Sequence, residues 1–131
     1  MKHSAEYYIE HLEMEPHVEG GYFKECLLEK EERNLWSSIY FMLAKGEVSH
    51  FHRLKSDEVW YYHDGNALPI YMIDEAGKLT AAKLGLDLEK GEAPQVLVPK
   101  GMIFGSAMEE EGFSLVGCMV CLLYTSPSPR D

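Results

Sequence analysis

Cysteine is scarce in this 131-residue chain, and the three present, Cys26, Cys118 and Cys121, follow no disulfide or zinc spacing. A disulfide framework and a structural zinc site are thereby excluded, and the expected compartment is the reducing cytoplasm. Basic residues are also few: 12 Lys and Arg against 22 Asp and Glu leave a formal charge of −10. Nucleic acids and anionic membrane surfaces bind clustered Lys and Arg, so neither is an expected partner. No long hydrophobic run occurs. The longest, Leu115 to Tyr124, is ten residues with a glycine inside it, about half of the ~20 needed to span a bilayer. The opening MKHSAEYYIEH is too polar for a secretory leader. Repeats and linkers are absent too, and at ~150 residues per domain the chain is one domain.

What is present is a globular composition, 46% apolar and 11% aromatic. Ser4 suits a helix N-cap, and Ala5, Tyr8, Ile9 and Leu12 fall on one face of the short helix it would start. Pro16 and Gly20-Gly21 end that helix. From Tyr22 onward β-rich segments alternate with turn signals: 22–28, 35–43, 48–54, 59–63, 68–74, 79–84, 93–98, 102–108 and 113–120. Lys45-Gly46-Glu47, Asp64-Gly65-Asn66, Gly77 and Pro99-Lys100-Gly101 punctuate them. Short strands spaced ~8–12 residues apart predict an all-β sandwich or barrel behind an N-terminal helix.

The end of the chain changes character. After Val120 a strand-like run gives way to CLLYTSPSPRD, which resembles the in-frame translation of a sequencing-library adapter. Residues 121–131 are therefore expected to lie outside the native domain, which occupies 1–120 and stops short at its C-terminal end.

Alternation on a strand places His50, His52 and Leu54 on one face. Glu58, Trp60 and Tyr62 share a face in the same way. A turn centred on Ser56 would pair the two segments, with His52 opposite Trp60 and His50 opposite Tyr62. A buried carboxylate beside imidazoles is costly unless it is paired, coordinated or bound to a substrate. These five polar and aromatic side chains are thus the candidate site, with Gln95 as a further cavity-facing polar group. By the same alternation His63 points outward. His3, His11 and His17 read as surface groups. Ser37, Ser38, Ser49 and Cys118 carry no nucleophile signature and read as strand packing.

The stretch Gly46-x5-His52-x-Leu54-x3-Glu58-x6-Gly65 resembles the first motif of cupins, G-x5-H-x-H-x3,4-E-x6-G. Leu54 stands in the place of the second histidine. Pro99-x-Gly101 is similar to the core of the second motif, P-x-G-x2-H, with Phe104 where that histidine would be. The phrases HVEGGYF from His17, SSIYFMLAKGEVSHFHRLKSDEVWYYHDG from Ser37, LGLDLEKGEAPQVLVPKG from Leu84 and FSLVGCMV from Phe113 resemble, in collinear order, the small single-domain cupins grouped as a fifth cupin family. The resemblance implies a jelly-roll barrel, related in fold to the sugar-nucleotide epimerase cupins (the RmlC-like fold), and a homodimer.

For function the resemblance implies a small-molecule ligand inside the barrel. Two of the four usual cupin metal ligands are replaced by apolar residues, so no metal or other cofactor is expected; an ion, were one bound, would fall to His52 and Glu58. His52 and Glu58 are the candidate catalytic pair for isomerase or epimerase chemistry on a polar, sugar-like ligand. His50, Trp60, Tyr62, Gln95 and Phe104 are the candidate ligand-binding residues. A non-catalytic binding module would need the same pocket without proton transfer. A metal-dependent oxygenase is the third alternative, and Leu54 and Phe104 argue against it.

Overall fold

The computed structural model describes residues 2–18, 20–30, 34–53 and 55–121. Among the described residues one helix, α1 (Ala5–His11), precedes ten strands: β1 (Glu15–Pro16), β2 (Tyr22–Lys30), β3 (Asn34–Ala44), β4 (Val48–Arg53), β5 (Glu58–Gly65), β6 (Leu68–Ile73), β7 (Leu79–Leu84), β8 (Gln95–Val98), β9 (Ile103–Ala107) and β10 (Phe113–Cys121). A short 3-10 turn, Leu88–Lys90, joins β7 to β8. The strands form two antiparallel sheets, ordered β1-β2-β3-β10-β5-β8 and β4-β9-β6-β7, a jelly-roll sandwich. Among the described residues no helix is long and apolar enough to cross a membrane.

Period-2 alternation builds the core. On β3, Phe41 and Leu43 turn toward the opposing sheet, and on β10 Val116 and Cys118 do the same. They meet Leu68, Ile70 and Met72 of β6 and Phe104 of β9. The intervening residues Met42, Phe113 and Leu115 are buried on the other side of the large sheet, under α1. There Ala5, Tyr8, Ile9 and Leu12 supply the apolar stripe expected from their spacing. The Ser4 side chain accepts a hydrogen bond from the Tyr7 amide at 3.1 Å, satisfying one of the helix's unpaired donors.

Asp64 fastens this N-terminal arm. Its carboxylate accepts from the Lys2 amide at 2.7 Å and the Tyr8 hydroxyl at 2.7 Å, while the Gly65 amide bonds its other oxygen at 2.8 Å. Those bonds outweigh burial and hold the carboxyl well below the ordinary carboxylate range. The Tyr8 hydroxyl is pushed up to about 12, by burial first and then by the Asp64 bond and charge.

Two sequence expectations are corrected here. β4 and β5 do not pair as a hairpin around Ser56: β4 pairs with β9, whereas β5 lies between β10 and β8 in the other sheet. The chain crosses between sheets at 55–57, with Ser56 buried and the Asp57 carboxylate accepting from the Lys100 amide at 2.8 Å. β5 also continues through Asp64 and Gly65, which were expected to form a turn. Leu54 and the tail 122–131 lie outside the described residues, and with them the expectations placed there.

Candidate functional site

A cavity of about 60 Å³ lies between the two sheets. β5 contributes Glu58 and Trp60, and the adjoining strands of the same sheet contribute Cys118, Ile39 and Phe41. From the facing sheet come Ser49 and His52 of β4 and Phe104 of β9. His17, on the turn before β2, adds a further described wall.

Each placement has a local cause. Glu58 and Trp60 project together because they are two apart on β5. Ser49 and His52 are three apart, which regular alternation forbids. A β-bulge reconciles them: Ser49 pairs with Ser106 and His52 with Phe104, so two residues of β4, His50 and Phe51, oppose the single Gly105 of β9. Gly105 sits opposite the bulge, where a Cβ would come within 2.8 Å of the Ser49 carbonyl oxygen and 2.9 Å of the Phe51 ring. His17 is set by a tight turn in which its amide donates to the Gly21 carbonyl at 2.8 Å and the Gly20 amide donates to the His17 carbonyl at 3.0 Å. Gly20 and Gly21 both have positive φ, and a Cβ on either would run into the backbone of β4 or β3.

Of the residues expected from sequence, His52, Glu58, Trp60 and Phe104 line the cavity; His50, Tyr62 and Gln95 do not. The bulge turns His50 to the exposed side. Tyr62 is half-buried against the core, with its hydroxyl donating to the Gly65 carbonyl at 2.6 Å. Gln95 alternates with buried Val96 and Val98 and so faces outward. The structure adds three residues that were read as surface or packing: His17, Ser49 and Cys118. The sequence signal for His17 was the glycine pair behind it; for Ser49 and Cys118 there was none.

Glu58 is 8% exposed and has no Lys, Arg or His ion-pair partner among the described residues. Burial pushes its carboxyl from an ordinary 4.5 up to about 7. The Trp60 N–H and Cys118 thiol lie close enough to restrain that rise, although the indole N–H forms no hydrogen bond of good geometry. Cys118 is raised well above the ordinary thiol range, mostly by burial and further by Glu58. His52 Nδ1 lies 2.9 Å from the His50 carbonyl. A carbonyl only accepts, so Nδ1 carries a hydrogen and Nε2 of the neutral ring is basic. The ring packs against Phe104 with centroids 4.5 Å apart. His52 lies on β4 of one sheet and Glu58 on β5 of the other. Each presents a titratable group to the same cavity from a different sheet.

Among the described residues no group of three His, Cys, Asp or Glu side chains converges as ion ligands. Phe104 fills the wall beside His52 with a ring in place of a donor. The donor set of the described residues does not suit a divalent metal, which takes three or four converging N or O ligands.

A family model described as "Cupin superfamily (DUF985)" matches residues 6–124. A crystal structure from Shewanella oneidensis is 58% identical, with a TM-score of 0.87 over 91% of this chain and 78% of that one. A hypothetical protein from Leishmania major is 34% identical, with a TM-score of 0.84 over 91% of this chain and 81% of that one. An oxalate decarboxylase variant from Bacillus subtilis shares the fold, at 21% identity and a TM-score of 0.61 over 81% of this chain and 26% of that one. No curated protein matches.

Proposed function

The chain belongs to the cupin superfamily family DUF985, and from that premise we propose that its barrel binds a small polar ligand between His52 and Glu58 and moves a proton on it. The observation that carries this reading is Glu58: a nine-tenths buried carboxyl, lacking any ion-pair partner among the described residues and facing a cavity. A group raised to about 7 exchanges its proton readily at neutral pH. His52, with Nδ1 held by a carbonyl, supplies a base of fixed tautomer from the facing sheet. A base on one side of a ligand and an acid on the other suit an isomerisation or epimerisation. The cavity is well below the ~300–1,000 Å³ of drug-sized sites, which favours a molecule of a few non-hydrogen atoms over a sugar ring.

The test is to extract small molecules from the purified full chain and identify them by mass spectrometry. Each is then returned to the protein in deuterated water. The expected result is deuterium uptake at a carbon, slowed ~10²–10⁴-fold by Glu58→Gln, the usual worth of a positioned proton-transfer group. A ligand that binds wild type and Glu58→Gln equally, without uptake in either, would replace the enzyme reading with a non-catalytic binding module.

A further inference from the structure

Resting on the reading of the cavity as a ligand site, we propose that its occupant carries an acceptor oxygen, such as a carbonyl or carboxyl group supplies, and that the Trp60 indole N–H holds it.

Trp60 is 3% exposed, and its Nε1 is a buried donor that makes no hydrogen bond of good geometry among the described residues, although the Glu58 carboxyl lies close to it. Leaving such a donor unmatched carries a full desolvation penalty. The hydroxyls of Ser106 and Ser114 are also buried without partners, but neither lines the cavity. Trp60 does, and its ring is fixed there edge-to-face between Phe41 and Phe104, at centroid distances of 6.0 and 6.2 Å. The N–H therefore cannot swing away to find water elsewhere.

The remaining polar groups on the wall do not constrain the ligand in this way. A serine hydroxyl, a thiol, an imidazole and a carboxyl can each donate or accept, according to rotamer or protonation. The indole N–H only donates. It asks for an acceptor. Among the described residues no Lys or Arg lines the cavity, so none of them supplies the full positive charge that phosphate or sulfate would draw on. A compact molecule with one sp2 oxygen toward Trp60 and an apolar remainder against Ile39, Phe41 and Phe104 fits these walls.

The experiment is an NMR titration of the 15N-labelled full chain with acetamide, acetate and methylammonium. The Trp60 indole N–H and the His52 ring are followed together. The expected result is a saturable downfield shift of the Trp60 N–H with acetamide or acetate and none with methylammonium. Trp60→Phe, which keeps an aromatic ring but removes the donor, should weaken the oxygen-bearing probes about 10- to 100-fold. Probes that saturate the His52 signals yet leave the indole N–H unmoved would overturn the acceptor-oxygen inference while leaving the cavity as a ligand site. Preference for methylammonium would overturn it likewise. If no probe perturbs any cavity residue, both readings fall. Should Trp60→Phe not fold, the wild-type titration decides alone.

Discussion

Ser49 and His52 are three residues apart on one strand and face the same cavity, because the bulge opposite Gly105 inserts an extra residue between them. The site thus depends on a glycine that contributes no side chain to it. Gly105→Ala should force the Ser49 carbonyl or the Phe51 ring to move, at about 1–3 kcal/mol, the range for overpacking. The denaturant midpoint measures that loss. His52 ring resonances should shift in the same variant, while His50→Ala should leave them and any ligand affinity nearly unchanged.

The buried carboxyl makes a pH prediction. Glu58 rises from 4.5 unfolded to about 7 folded, so between those values the native state binds the extra proton. Its contribution to stability is full below about 4.5 and is lost as pH rises through about 7, by roughly 3 kcal/mol. Burial lowers His63 and gives the opposite slope near its ordinary 6.5. The difference between wild type and Glu58→Gln isolates the carboxylate. Denaturant titrations at pH 5 and pH 8 should show Glu58→Gln gaining on wild type at the higher pH; parallel behaviour would show that Glu58 is not buried in solution.

Asp64 predicts a second, separate acid transition. Its depressed carboxyl stabilises the docked arm above the ordinary 3.8 and ceases to do so as pH falls below it. Asp64→Asn should cost ~1.5–3 kcal/mol, the worth of bonds to a charged acceptor. Hydrogen exchange would locate the effect: amides of α1 should exchange faster at neutral pH while those of β6 keep their protection.

Cys118 should be inert in the native state. Burial and the neighbouring carboxyl disfavour its thiolate, and the thiolate is the reactive form. Peptide-resolved alkylation should label Cys118 at least ~100-fold more slowly than a free thiol at pH 8, and at the free rate in denaturant.

The fold was legible because strand-forming runs and turn residues recur along the chain, and because α1 shows its apolar stripe openly. Within β5, alternation alone put Glu58 and Trp60 on one face. Alternation failed at His50, since nothing in the run VSHFHR marks an inserted residue; the glycine that permits the bulge lies on β9, far away in sequence. Proximity along the chain misled about pairing, because residues 55–57 cross between sheets instead of turning back within one. His17 and Cys118 reach the cavity through tertiary placement, which local pattern does not encode.

The assignment of His52 and Glu58 to opposite sheets has a mechanical corollary. Partners in one ladder are kept at a fixed spacing by backbone hydrogen bonds. Between the sheets at the cavity there is mainly side-chain packing, which lets layers slide without breaking a ladder. The gap between His52 and Glu58 is therefore set by side-chain packing and not by a hydrogen-bonded ladder. Hydrostatic compression should narrow it and a wedged ligand should widen it, each changing the His52–Glu58 distance while the strands keep their register.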